Sequence, residues 1–378
     1  NDTAQPTVPA QRDVGALTQR GNAELQRGRE TGDPAHYERA EAAFRQALSR
    51  DRRDVDATVG LGTLAMNRHH FRTALRYAKA AHDLAPALVR PYPVLVDAQI
   101  ELGRYTQAGR TLQRMVDLRP DLASYARVSF YRELHGDLDG AASAIRLAIS
   151  AGGDVPENVA YVQSLLGHVE AVRGRRAAAR DAYETALAGV DRYVPALVGL
   201  ARLDAGAGRL ETAVHQMRDV VRRQPLPEHV VALAELEALA GHAQLARRRF
   251  DAQRRTMSTT GSDEDVGLAL LEADHGNPRR AVAVGHRAWR AAPSVHSADA
   301  LGWALTRAGR PADGLRWGRR ALKLGSRDPA FLARAGLSAA AAGREATARR
   351  YLRRSIARDP RFSAVWAPRV RNALRDLS

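Results

Sequence analysis

Two short stretches of this 378-residue chain hold residues that could do chemistry. Gly60, Gly62 and Ala65 form a G-x-G-x-x-A run, which binds a dinucleotide when a strand precedes it and a helix opens on it. Just beyond stand His69 and His70, and imidazole pairs can ligate metals. Neither stretch has the required setting. No period-two alternation precedes the glycines, which lie inside a helical period, where small residues let helices approach. Adjacent histidines point different ways, and no H-E-x-x-H or cysteine stands near. No G-x-x-x-x-G-K-[ST] loop and no G-x-S-x-G elbow occurs anywhere. The expectation is a non-enzyme with no catalytic residues, no metal site and no cofactor.

The elements that would position any site follow from composition and periodicity. Apolar residues make up 45% of the chain but aromatics only 5%, so alanine, leucine and valine must do most of the packing. These residues suit helix–helix contacts. The net charge of +16 raises the prospect of nucleic-acid or anionic-membrane binding. All but two of the basic residues, Lys79 and Lys323, are arginine, as a GC-rich bacterial genome tends to encode. Cysteine is absent, which removes disulfides, thiolate nucleophiles and cysteine metal sites. No run of 18 apolar residues exists to span a bilayer. The opening NDTAQPTVPAQRD reads as a flexible polar tail over 1–13. Its lack of Met inclines the expectation toward an exported protein over a cytoplasmic one.

A small residue recurs at Ala40, Ala74, Ala108, Ala141, Ala179, Ala213, Ala246, Ala281, Gly314 and Ala348, in steps of 34, 34, 33, 38, 34, 33, 35, 33 and 34. A glycine often stands five residues before it (Gly103, Gly136, Gly174, Gly208, Gly241, Gly276, Gly309, Gly343), and a proline twelve after (Pro86, Pro120, Pro225, Pro293, Pro360). Such a glycine can close a helix in the left-handed conformation. In GNPRRAV, Asn277 can cap and Pro278 can begin a helix; in GSDEDVG, Ser262 can cap, with Asp263, Glu264 and Asp265 in the first turn. Asp313-Gly314 falls inside a helical period and is not a hairpin turn.

This layout resembles the tetratricopeptide repeat family, whose unit is a helix–turn–helix of about 34 residues. Its Leu-Gly pair stands at Leu61-Gly62, Leu166-Gly167 and Leu301-Gly302, and its aromatics at Phe44, Tyr183, Phe250, Phe71 and Tyr105. The resemblance implies an all-α, right-handed superhelical solenoid of antiparallel helix pairs. About ten units span 14–361, and a C-terminal capping helix over 362–378 packs Val365, Trp366, Val370 and Leu374 on repeat ten, with Pro368 interrupting or beginning it. Departures are an extra loop around RGRETGDPAH in repeat one, the insertion SAGGDVPEN, and Gly285 and Gly318 where the second helix usually carries a large residue.

In that family first helices line a concave groove. The resemblance therefore implies groove positions at Asp56, Thr63, Asn67, Asp97, Glu101, Phe130, Glu133, Tyr161, His168, Arg202, Glu228, Glu235, Asp263, Asp274, His296, Asp299, Trp303 and Arg307. This acidic, partly aromatic set suits a basic or amphipathic peptide. The sharpest candidate is His296, Asp299, Trp303 and Arg307, spaced to share one helix face, with Trp303 as anchor or as packing beside Gly314 and Gly318. Phe130, Tyr161 and His168 form a second. Asn22 and Arg90 match two slots of a carboxylate clamp whose Lys and second Asn are absent. The expected function is a protein–protein interaction scaffold. The alternative is nucleic-acid or anionic-surface binding through convex arginines on second helices, among them Arg180, Arg218, Arg254, Arg247, Arg248, Arg319, Arg320, Arg349 and Arg350.

Overall fold

The computed structural model describes residues 8–153, 155–259 and 265–377, with side chains from 13 onward. Among these the chain is all-α, with twenty-one helices in chain order. It divides into two compact units, 1–119 and 120–378. The first holds three helix pairs: α1 (Val8–Thr31) with α2 (Pro34–Arg50), α3 (Val55–Asn67) with α4 (Phe71–Leu84), and α5 (Tyr92–Glu101) with α6 (Tyr105–Leu118). The second holds seven pairs and a final helix. The first four pairs are α7 (Leu122–Leu134) with α8 (Leu138–Ala151), α9 (Pro156–Val172) with α10 (Arg176–Gly189), α11 (Val194–Gly206) with α12 (Leu210–Arg223), and α13 (Pro227–Leu239) with α14 (Ala243–Thr259). The next three are α15 (Val266–His275) with α16 (Pro278–Ala291), α17 (Val295–Arg307) with α18 (Pro311–Ala321), and α19 (Pro329–Ala341) with α20 (Glu345–Ile356); α21 (Trp366–Asp376) follows.

The recurring small residue explains the pairing. None of its nine alanines is more than 1% exposed, and Gly314 is buried. The G-x-G-x-x-A run has the same purpose. Gly60 faces the ring of Phe44, and Gly62 faces Val94 and the Ala74 carbonyl. Phe44 fills the space beside both Gly21 and Gly60, and Tyr183 does the same between Gly167 and Gly199. One ring thus replaces the side chains missing from two successive first helices, at the density of a protein interior. Gly285 and Gly318 let their helices lie against Leu301 and Ala335.

The turns inside the pairs follow the glycine pattern. Gly103, Gly136, Gly174, Gly208, Gly241, Gly309 and Gly343 all have φ between 67° and 92°. In repeat two His69 takes that conformation, at φ 60°, and its ring stacks on Phe71 at 5.6 Å. Asn277 caps α16 with Pro278 behind it. Asp265 is itself the cap of α15 rather than a first-turn acid; Ser262, Asp263 and Glu264 lie outside the described residues. The extra residues of repeat one lengthen α1 instead of forming a long loop, and α1 begins at Val8, inside the segment expected as tail.

Four buried carboxylates recur nine residues before the small position: Glu170, Asp204, Glu237 and Glu272, at most 4% exposed. Each is clasped by arginines, most of them from second helices. Arg146 and Arg173 hold Glu170 at 2.9 and 2.8 Å. Arg180, Arg209 (2.6 Å) and Gln216 (3.0 Å) hold Asp204. Glu237 takes Arg218 (3.2 Å) and Arg249 (2.7 Å), and Glu272 takes Arg254 (3.1 Å) and Arg280 (3.3 Å). The sequence expectation set Arg180, Arg218 and Arg254 on a solvated back. They turn inward because a desolvated carboxylate requires a paired cation.

Unit two also closes on itself. Arg176 at the start of α10 binds Asp359 at 2.7 Å and donates to the carbonyls of Leu203 and Arg361. Gly136, Gly174 and Gly206 lie against the carbonyls of Gly325, Arg358 and Arg361, where a Cβ would collide.

Two outcomes are expected in urea denaturation. Glu237→Ala strands Arg218 and Arg249 and costs about 3 kcal/mol, the low end for a broken buried pair because both arginines keep some solvent. Gly199→Ala drives a methyl into the Tyr183 ring and costs about 1–3 kcal/mol, partly recovered in the double variant with Tyr183→Leu.

Candidate functional site

Successive first helices of unit two touch one another (α7 with α9, α9 with α11, α15 with α17, α17 with α19), while second helices of successive pairs make no comparable contact. The first helices therefore line the inner side of the curve. Helical spacing puts Phe130 and Glu133 on one face of α7, and Tyr161 and His168 on one face of α9. The structure joins the two helices there, with His168 Nε2 at 2.8 Å from a Glu133 oxygen. Phe130 and Tyr161 stay 38% and 41% exposed, open aromatic surface in a chain poor in aromatics. Arg202 is exposed on the neighbouring α11.

The second cluster is different in kind. Trp303 is only 5% exposed and packs in a cluster with Leu270, Ala273, Ala281 and Leu337. Its Nε1 donates to Asp274 at 3.1 Å, and Trp366 of α21 covers it edge-on at 5.3 Å. Arg307 donates to the Ala273 carbonyl (3.2 Å) and lies over the Trp303 ring. Asp299 pairs with Arg334 at 2.5 Å, both buried, and His296 meets Phe331 edge-on. Burial pushes the Asp299 carboxyl up despite that arginine. The quartet stands on α17, and its Trp303 sits against the chain's own C-terminal helix.

The remaining positions divide by unit. In unit one, Asp97 and Glu101 sit half-buried one turn apart on α5, and Asp56 pairs with Arg90, which removes that arginine from a carboxylate clamp. In unit two, Glu235 pairs with His275 at 3.4 Å. The inner acids are thus largely matched by arginines and histidines of the same chain, partners that spacing along the sequence does not reveal. Of the outer arginines, Arg349 binds Glu345 and the Leu377 carbonyl, and Arg350 lies over Tyr351. Arg320 lies over Trp289 at 4.5 Å and over Trp317 at 5.5 Å, and those two rings meet at 4.8 Å. Arg247, Arg248 and Arg319 are exposed and make no ion pair among the described residues. The carboxylate series at 170, 204, 237 and 272 escaped the sequence reading, although its spacing repeats the small-residue period.

No group of three or more His, Asp or Glu able to hold a metal occurs among the described residues. The turn histidines serve the packing: His135 Nδ1 donates to the Tyr131 carbonyl at 2.8 Å, and His275 stacks on Phe250.

Desolvation lowers the pKa of His168, but the Glu133 charge and hydrogen bond outweigh it, so the pKa lies above its ordinary value. The pair's stabilisation is therefore complete below pH about 6.5 and is lost as pH rises through the folded pKa. Since His168 is half exposed, it is worth under about 1 kcal/mol. An NMR titration of the His168 ring should show a midpoint above 6.5 that falls in Glu133→Gln.

No family model and no curated protein sequence matches the chain, but solved structures do. Human IFIT1, in a dimer with PPP-AAAA, is similar at 15% identity and a TM-score of 0.53, over 83% of this chain and 73% of that one. The Cut9-Hcn1 hetero-tetramer of APC/C is similar at 16% identity and a TM-score of 0.50, over 92% of this chain and 60% of that one. A thermophilic TPR protein of Thermus thermophilus, TTC0263, is similar at 20% identity and a TM-score of 0.44, over 49% of this chain and 95% of that one. With the ten helix pairs and their 34-residue period, the first two likenesses establish the fold: the chain is a tandem array of tetratricopeptide-type repeats.

Proposed function

We propose that the protein is a non-catalytic scaffold that grips a segment of a partner protein on the inner face of unit two, at Phe130, Glu133, Tyr161 and His168. The observation that carries this reading is the exposure of Phe130 and Tyr161 on the two helices that the Glu133–His168 bond joins. Water-exposed aromatics on a rigid helical face gain by covering, and an amphipathic segment supplies the apolar cover and matching charge. The half-buried acids Asp97 and Glu101 offer unit one a similar, weaker surface. Among the described residues no helix is long and apolar enough to cross a membrane.

A second reading rests on the outer face, where Arg320 stacks on Trp289 and Trp317 near the unpaired Arg319, and where Arg247 and Arg248 stand free of carboxylates. Stacked aromatic and guanidinium planes suit nucleic-acid bases and phosphates. IFIT1 was solved with PPP-AAAA, though that likeness extends to fold alone.

Both readings meet one experiment. A photo-crosslinking amino acid is placed at Phe130, Tyr161 or Arg247 and irradiated in cell extract with and without nuclease. Nuclease-resistant protein adducts at 130 and 161, reduced at least about fivefold by Glu133→Lys, are expected from desolvated hot-spot contacts. Nuclease-sensitive adducts at 247 alone would overturn the inner-face reading in favour of the outer one.

A further inference from the structure

A helix that only caps a solenoid has to cover the last repeat and nothing more. The C-terminal half of α21 does this, with Val370 fully buried and Ala373, Leu374 and Leu377 packed on repeat ten. Its N-terminal half does more, for Trp366 packs on repeat ten as well and also extends beyond it. Trp366 reaches back onto Trp303 of α17, and Arg369 binds Asp274 of α15 at 3.2 Å, two first helices before the end. Three first helices of the inner face, α15, α17 and α19, thus hold one turn of α21.

The seat has the chemistry of an interface. Asp274 uses one oxygen for the Trp303 indole and the other for Arg369, so Trp303 aims the carboxylate at the incoming guanidinium. Arg334 lies over the Trp366 ring at 5.2 Å, and Arg369 lies over it at 4.8 Å. Arg334 is 8% exposed, is held charged by Asp299 in spite of burial, and keeps a buried Nε with no hydrogen-bond partner. An aromatic ring in contact with two guanidinium groups and edge-on to a buried tryptophan has the character of a hot spot.

We propose that the inner face of repeats eight to ten is a recognition site for a helical segment carrying an aromatic residue and, three positions later, an arginine. The first turn of α21 is its built-in occupant. A partner helix of that chemistry takes the places of Trp366 and Arg369 while the second half of α21 stays on repeat ten. The inference extends the scaffold reading to a second seat with its own chemistry. Because the occupant is tethered, it competes at an effective concentration of roughly millimolar, and the free site is a small fraction of molecules.

The probe is a fluorescein-labelled peptide with the sequence of residues 359–378, titrated with the full chain and followed by anisotropy. Arg369→Ala and Trp366→Ala in the protein should each bind it at least about tenfold more tightly than the unsubstituted chain, by removing the competitor. Asp274→Asn added to Arg369→Ala should reverse the gain, as should a probe whose own tryptophan is alanine. Circular dichroism melts establish that the variants are folded. Should Trp366→Ala unfold, Arg369→Ala still reads the site, since it leaves Val370 and Leu374 in place. Folded variants that bind no tighter than the unsubstituted chain, or a probe indifferent to loss of its tryptophan, would overturn the proposal. Binding unchanged by Phe130→Ala keeps this result separate from the fate of the first inner-face site.

Discussion

Four carboxylates are buried at the same place in four consecutive repeats, and neighbouring segments bring arginines to each of them. This requirement orders the second unit. A carboxylate without water demands a cation within hydrogen-bond reach, and the cation must come from a helix packed at one register. Hydrophobic burial alone is tolerant of small slips along a helix face; a bonded guanidinium is far less so. At Asp204, burial would raise the carboxyl pKa, but hydrogen bonds from Arg209, Arg180 and Gln216 overcome this and hold it below its ordinary value. The charge therefore stays on at neutral pH, and the clasp with it.

The same requirement bears on function. An arginine-rich chain invites a nucleic-acid reading, and a net charge of +16 supports it in the abstract. Arginines committed to buried carboxylates are not available to phosphate. Those left over, with the edge-on pair Trp289 and Trp317, amount to less free positive charge than composition suggests. The inner face changes in the opposite sense. Its acids are met by His168, His275, Arg334 and Arg369, so it offers aromatic surface and directed hydrogen bonds more than bare negative charge.

Closure of unit two adds a second constraint. Asp359 on Arg176 and the backbone approach at Gly136, Gly174 and Gly206 bring residues from opposite ends of seven repeats together. Glycine is needed there because carbonyls occupy the space of a side chain, and Gly136 and Gly174 also have positive φ. The C-terminal segment leaves this seam and runs onto the inner face, which is how α21 reaches Trp303 and Asp274.

The sequence by itself determined the repeat, the number of helix pairs and where most helices turn. Each of these is local: a small residue every 34 or so positions, a glycine five residues earlier and a cap such as Asn277 act through neighbours along the chain. It also pointed to Phe130, Tyr161 and His168 as neighbours on successive first helices; that Glu133 bonds His168 emerged only in the structure. Tertiary structure alone decided which side chains are spent on the fold. Trp303 and Phe130 look alike in sequence, as aromatics on first helices. One is buried because a helix far along the chain folds over it, and the other stays open. Arg180 and Arg247 look alike on second helices. One meets a buried carboxylate and the other meets water. Such pairings depend on how far the array curves and where its end returns, and curvature accumulates from small packing angles that no single repeat encodes.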